Sequence, residues 1–266
     1  MGRGLQGQGQ FLFLGTGGSM GIPMIGCGCE VCRSTSPFNK RMRSAGLIRI
    51  GDKSFLIDVG PDFRAQALHF NIEHLNGVFL THAHADHIAG IDDLRAYYFL
   101  DKKRLPCFLS QETFEEVKLR YHYIFRPMIP GQSLTAQLDF QILPDDFGGF
   151  DLEGVHFEYF SYSQMGMKVT GFRVGNFAYV SDIREYSDQI FKALEGIDIL
   201  VLSALRHVPT KMHFSIEEAI AFSRRTKAKT TYLTHIAHDL EHAATNALLP
   251  PDVRMSYDGL EISIEI

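Results

Sequence analysis

Residues 81–87 read Thr-His-Ala-His-Ala-Asp-His and follow directly on the apolar run Val78-Phe79-Leu80. Four metal-ligating side chains, His82, His84, Asp86 and His87, therefore fall within six positions at the end of an expected buried strand. Side chains two apart on extended backbone share a face, so His82 and His84 point the same way. The chain then turns, the small Ala83 and Ala85 let it turn tightly, and Asp86 with His87 reach a second point nearby. Neutral imidazoles with a carboxylate suit first-row divalent ions such as zinc, manganese, nickel or iron. Surface histidines at a helix start rarely recur this densely, which favours a metal site.

Holding such a segment in place takes a sizeable core, and the chain has the means for one. It has 266 residues, 45% of them hydrophobic and 21% charged, an ordinary globular balance. The formal charge of −5 gives no electrostatic footprint for nonspecific nucleic-acid binding, and no nucleic-acid partner is expected. No apolar run approaches the roughly 18 to 20 residues that span a bilayer, so no membrane role is expected. Residues 1–10 are rich in Gly and Gln and read as a flexible tail. They lack the apolar stretch of a secretory signal, and Gln6 stands where a myristoylation site wants Ser or Thr, so a cytoplasmic protein is expected.

Strands and helices alternate along 11–266, which reads as one domain of mixed α and β class. Strands are expected at Phe11–Leu14, Leu47–Ile50, Ser54–Val59, Val78–Leu80, Val155–Phe160, Gly171–Val174, Phe177–Val180, Ile199–Leu202, Thr231–Leu233 and Leu260–Ile266. Stretch 127–151 reads as loops around one strand at Phe140–Leu143. Helices are expected after Pro61, after the cap Ser110, over Ile190–Leu194, after the capping box Ser215-Ile-Glu-Glu218 and over Leu240–Leu248. Gly15-Thr16-Gly17-Gly18 lacks the Lys-Ser/Thr ending of a phosphate loop and reads as a tight turn.

The His-x-His-x-Asp-His string resembles that of the metallo-β-lactamase superfamily. The resemblance implies an α+β fold in which two β-sheets pack between helices. It also implies further ligands from later strand ends: Asp182, in Tyr179-Val-Ser-Asp182, as the carboxylate shared by two ions, and His235, in Leu233-Thr-His235.

Cys27, Cys29 and Cys32 lie within six residues, and closed structural zinc sites commonly take three thiolates and one imidazole. His238, three residues after His235, is the expected fourth ligand. A Cys-x-Cys-x-x-Cys insertion after Gly-Thr-Gly-Gly is narrower than the superfamily motif and resembles the PhnP-type phosphodiesterases. The resemblance runs from Gly15 to Tyr257-Asp258-Gly259. It implies two active-site divalent metals, manganese or zinc, and one structural zinc. The activity implied is hydrolysis of a cyclic phosphodiester, a ribosyl 1,2-cyclic phosphate or a 2′,3′-cyclic nucleotide, by a hydroxide that the two ions share. The expected partner is thus a small phosphodiester substrate, and a homodimer is suggested by the resemblance alone.

By the same resemblance His213, in Lys211-Met-His213-Phe-Ser215, is a general acid or phosphate contact, and His213 and Asp86 are the expected catalytic groups. One ion takes His82 and His84, the other Asp86, His87 and His235. A further ligand histidine is implied before Gly171, and counting back from Gly171 puts Gln164 there. An amide oxygen is a harder, weaker ligand than imidazole, which leaves a loosely held ion, a preference for manganese or an altered homologue. Asp58 reads equally as an orienter of a ligand imidazole or as a turn cap. His242 is expected on the solvent face of its helix. Three other readings share parts of the pattern: transfer-RNA 3′-processing nucleases, pyrroloquinoline-quinone biosynthesis B-like proteins, and non-catalytic zinc-binding homologues.

Overall fold

The computed structural model describes residues 7–127 and 134–266. Two mixed seven-stranded sheets face one another. The first holds β1 (Gln8–Gly15), β2 (Ala45–Ile50), β3 (Lys53–Ile57), β4 (Gly77–Phe79), β5 (Leu105–Ser110), β6 (Leu138–Leu143) and the C-terminal β14 (Glu261–Glu265). Its order is β14-β1-β2-β3-β4-β5-β6, with β3 to β6 parallel. The second holds β7 (Phe147–Leu152), β8 (Val155–Gln164), β9 (Met167–Val174), β10 (Phe177–Val180), β11 (Ile199–Ser203), β12 (Thr230–Thr234) and β13 (Val253–Met255). Its order is β13-β12-β11-β10-β9-β8-β7, with β10 to β13 parallel.

Strand β1 shows why the layers form. Phe11 and Phe13 point into the space between the sheets, whereas Leu12 and Leu14 point to the outer face of the first sheet. The layer between the sheets is aromatic: Phe11 meets Phe177 at 4.6 Å and Phe79 meets Phe157 at 4.8 Å between ring centroids. Among the described residues, eight short helices flank the sheets: α1 (Glu30–Arg33), α2 (Phe63–His69), α3 (Ala85–Ile88), α4 (Arg95–Asp101), α5 (Gln111–Arg120), α6 (Ile190–Ala193), α7 (Ile216–Thr226) and α8 (His242–Leu248). Helices α2, α4 and α5 cover the first sheet, and α6 and α7 cover the second. Ser110 caps α5, and Ser215 with Glu218 forms the expected capping box of α7. The result is the α+β sandwich, helices outside and sheets inside, that the histidine string implied.

Several boundaries differ from the sequence expectation. Gln8–Gln10, assigned to the tail, belong to β1 and pair with β2 and β14; residues 1–6 lie outside the described residues. Stretch 127–151 carries β7 as well as β6, and residues 128–133 lie outside the described residues. Strands β8 and β9 run on to Gln164 and Met167 around a two-residue turn, Met165-Gly166, both with positive φ (49° and 78°). Among the described residues no helix is long and apolar enough to cross a membrane.

Candidate metal centre

The parallel strands of both sheets end on one side of the sandwich, where α/β sheets place ligands. Strand β4 delivers His82, β3 delivers Asp58, β10 delivers Asp182, β12 delivers His235 and β8 delivers Gln164. Asp58, Asp182 and His235 all carry left-handed φ, 62°, 54° and 59°. Non-glycine residues pay roughly 1–2 kcal/mol for that conformation, so three at one locus mark a site the fold is built to hold. The reversal turns each side chain off its strand and into the centre.

Two ligand sets meet there. In the first, His82 Nε2 and His84 Nδ1 face each other at 3.0 Å, with Asp182 Oδ2 at 3.9 Å from His82 Nε2. In the second, Asp86 Oδ2 lies 3.4 Å from both His87 Nε2 and His235 Nε2. Asp182 joins them: Oδ2 lies 2.8 Å from His87 Nε2, and Oδ1 lies 3.2 Å from His235 Nε2. His213 Nδ1 stands 3.0 Å from Asp182 Oδ1, and its ring stacks on His235 at 4.8 Å. The structure thus gathers all the expected ligands, including Gln164, whose Nε2 lies 3.4 Å from Asp182 Oδ1 and 3.2 Å from His213 Nδ1.

Behind the ligands, a buried hydrogen-bond chain fixes ring orientation. His87 Nδ1–H donates to Asp58 Oδ2 at 2.6 Å, and Thr81 donates its N–H and hydroxyl to the same carboxylate. His82 Nδ1–H donates to the Thr81 hydroxyl oxygen at 2.9 Å. Both rings therefore keep a proton on Nδ1 and turn Nε2 inward, the arrangement metal-ligating histidines need. Asp58 is the orienter, not merely a turn cap. Thr81 was missed in the sequence, although it sits immediately before the first histidine. Arg120 on α5 donates to the Ala83 carbonyl and fixes the loop between His82 and His84. Gly60 lets the 58–60 turn press on α3, since a Cβ there would meet the Asp86 carbonyl oxygen.

The electrostatics suit cations. Burial pushes the His82 and His84 rings down toward the neutral, ligating form. Against its own burial, Asp182 is held well below the usual carboxylate range by His235, His87 and the His213 hydrogen bond. Burial likewise opposes ionisation of Asp86, but His87 and His235 hold it low. Against burial, Asp58, Asp182 and Asp86 push the His87 ring up, and the charge that would retain a proton there equally attracts a metal ion. Buried and without a hydrogen-bond partner, His87 Nε2 and Gln164 Oε1 are the kind of atoms a coordinated ion satisfies. The donor set, imidazole nitrogen and carboxylate oxygen, fits a pair of divalent ions.

The structure also brings together the four residues expected to hold the structural zinc. Cys27, Cys29, Cys32 and His238 gather their ligand atoms within 4.8 Å of one another. His238 Nδ1 lies 3.4 Å from Cys27 Sγ and 3.3 Å from Cys29 Sγ. The Cys32 backbone N–H and the His238 ring hold the Cys29 thiol down to about 6, toward the thiolate that binds zinc. Between His235 and His238, Ile236 is clamped by the glycine loop: its N–H donates to the Thr16 carbonyl and its carbonyl accepts from the Gly18 N–H. One short segment therefore ties the thiolate site to the histidine centre. Cys107 is a buried core residue on β5. His242, in contrast, is buried rather than solvent-facing, because it accepts at Nδ1 from Arg41, far away in sequence.

Residues 53–236 match the beta-lactamase superfamily domain family. A solved diphosphatase of the PhnP family superposes with a TM-score of 0.90 at 34% identity, over 97% of this chain and 98% of that one. An octanoyltransferase of Porphyromonas gingivalis is 33% identical over 96% of this chain and 51% of its own length. A ribonuclease Z of Protochlamydia amoebophila is 28% identical over 59% of this chain and 49% of its own. The chain thus matches about half the length of these two curated relatives.

Proposed function

This chain belongs to the metallo-β-lactamase superfamily and, within it, to the PhnP type, and on that premise we propose that it is a metal-dependent hydrolase of small cyclic phosphodiesters. The observation that carries the reading is the convergence of Asp182 and His235 on the 82–87 string, with the shared carboxylate 2.8 Å from His87 and 3.2 Å from His235. His82, His84, Asp182 and Gln164 would hold one ion, and Asp86, His87, His235 and Asp182 the other. Bound there, two divalent ions supply a water ionised near neutral pH and positive charge for the phosphoryl oxygens.

The chain's own residues supply the rest. Asp58 and Thr81 keep the Nδ1 protons of His87 and His82 in place, so that neither ring turns during turnover. His213, with Nδ1 3.0 Å from Asp182 Oδ1, is the group proposed to pass a proton to the leaving oxygen. It is the more exposed of the two partners, with 12% of its side chain accessible against 1% for Asp182, as a group that must meet substrate requires. The substrate is proposed to be a small diester rather than a nucleic acid, in keeping with the net charge of −5.

A second reading has a specific support: the similar PhnP-family structure is described as a diphosphatase, so a diphosphate is the alternative substrate class. The test compares a ribosyl 1,2-cyclic phosphate, a 2′,3′-cyclic nucleotide, a nucleoside diphosphate ester and a precursor transfer RNA, each with and without chelator. Chelator-sensitive opening of a cyclic ester is the expected result. Turnover of the diphosphate alone moves the assignment to the second reading, and turnover of the precursor RNA alone moves it to nuclease action. In the favoured case, His213→Ala slows the cyclic ester reaction by about 10²–10⁴-fold, and an unchanged rate removes His213 from the chemistry.

A further inference from the structure

The two ligand sets are not equivalent. Asp86, His87 and His235 bring two imidazoles and a whole carboxylate to one position, and Asp182 lies close to both rings. The other position has His82, His84 and an edge of Asp182. Its remaining donor is the neutral amide of Gln164, fixed at the end of β8 by the Met165-Gly166 turn and by Ser163, which pairs with Glu185.

The amide's orientation follows from its surroundings. Nε2 lies 3.4 Å from Asp182 Oδ1 and 3.2 and 3.4 Å from the two ring nitrogens of His213, where it can donate to an unprotonated ring nitrogen, and reversing the group would set an amide oxygen against the Asp182 carboxylate oxygen. Oε1 is consequently the free end, and it is buried without a partner in a residue 1% exposed. A buried carbonyl oxygen left over next to Asp182, the carboxylate that also reaches His82, has a cation as its natural partner. As an oxygen donor it suits manganese or magnesium better than zinc, and it binds more weakly than an imidazole.

We propose that the centre fills in two unequal steps: the Asp86, His87 and His235 position binds its ion first and tightly, and the His82 and His84 position fills second, through Gln164 Oε1, with a preference for manganese over zinc. The inference rests on the metal-centre reading above and refines it. The second ion is the labile one, so activity follows the ambient manganese concentration while the first ion stays bound.

The test is a manganese titration of the full chain, with the thiolate site left in its zinc form, followed by the loss of the free-ion paramagnetic resonance signal. Two steps are expected, the second about tenfold or more weaker than the first. Gln164→His should tighten the second step by about tenfold or more and extend it to zinc. Gln164→Ala should weaken it by about as much, and Gln164→Glu, which keeps the volume and adds charge, should strengthen it for manganese. The first step should not change in any variant. Two equal ions in the wild-type chain, or a second step indifferent to all three substitutions, would overturn the proposal while leaving the metal centre standing. No manganese, zinc or cobalt bound beyond the thiolate site would instead overturn the centre itself.

Discussion

Asp58→Asn isolates the buried chain behind the metal ligands. Asp58 has no exposed surface and takes His87 Nδ1–H at 2.6 Å, the Thr81 N–H at 2.8 Å and the Thr81 hydroxyl at 2.9 Å. Asparagine has one acceptor oxygen for these donors. If that oxygen stays on Thr81, the new NH₂ meets His87 Nδ1, which must then give up its proton and become an acceptor. The proton moves to Nε2, the nitrogen that should face the ion. Losing an orienting partner of this kind typically costs 10–100-fold in metal affinity, about 1.4–2.7 kcal/mol. The backbone adds nothing to this, since Asn tolerates the φ of 62° at this position. Asp58→Ala loses the same partner and also meets the left-handed backbone, worth about 1–2 kcal/mol of folding stability. The assay is competition with a chromophoric chelator at pH 7.5, alongside urea unfolding. The expected pattern is lower affinity in both variants with a larger stability loss in the alanine variant. A folded Asp58→Asn protein with wild-type affinity would refute the orienting chain.

Other consequences follow from the same geometry. Gly60→Ala sets a methyl group against the Asp86 carbonyl, so α3 must shift; urea unfolding should show a loss of about 1–3 kcal/mol and chelator competition a weaker second ligand set. Cys29→Ser opens the thiolate site, and because Ile236 links His238 to His235, the melting temperature and the affinity of the histidine centre should fall together. His242 accepts from Arg41, and burial with that neighbouring charge pushes its ring down to about 4. The unfolded chain therefore binds a proton below about 6.5 that the folded chain refuses, so stability drops as pH falls from 6.5 toward 4. His242→Gln keeps an acceptor without titrating and should flatten this limb. Asp258, pushed up to about 6 by burial, acts in the opposite sense between its ordinary value and 6, so variant and wild type are compared at each pH.

The parts of the site that lie close together in sequence were legible there. The 82–87 string and the three cysteines declare themselves by spacing, and Asp182 and His235 follow buried strands as ligands drawn from elsewhere should. What escaped depends on contacts across the fold. Ser161–Gln164 alternates in burial like any strand, but its inward residues are Tyr162 and Gln164 rather than aliphatics, so the run reads as loop. Strand β7 is masked by Gly148 and Gly149; its place comes from pairing with β8 and from Phe150, which stacks on Phe108 at 3.9 Å. The role of Asp58 depends on a histidine 29 positions away, and the burial of His242 on an arginine 201 positions away. No local pattern records either partner.

The claim beneath all of this is a pair of cations held between residues 82–87 and the ends of β8, β10 and β12. Anomalous diffraction at the manganese and zinc edges, from crystals grown with both metals, tests it most directly. Two peaks about 3.5–4 Å apart flanking Asp182 are expected, with a zinc peak at Cys27, Cys29, Cys32 and His238. Anomalous density at the cysteines and none beside Asp182, in crystals soaked at saturating manganese, would contradict it.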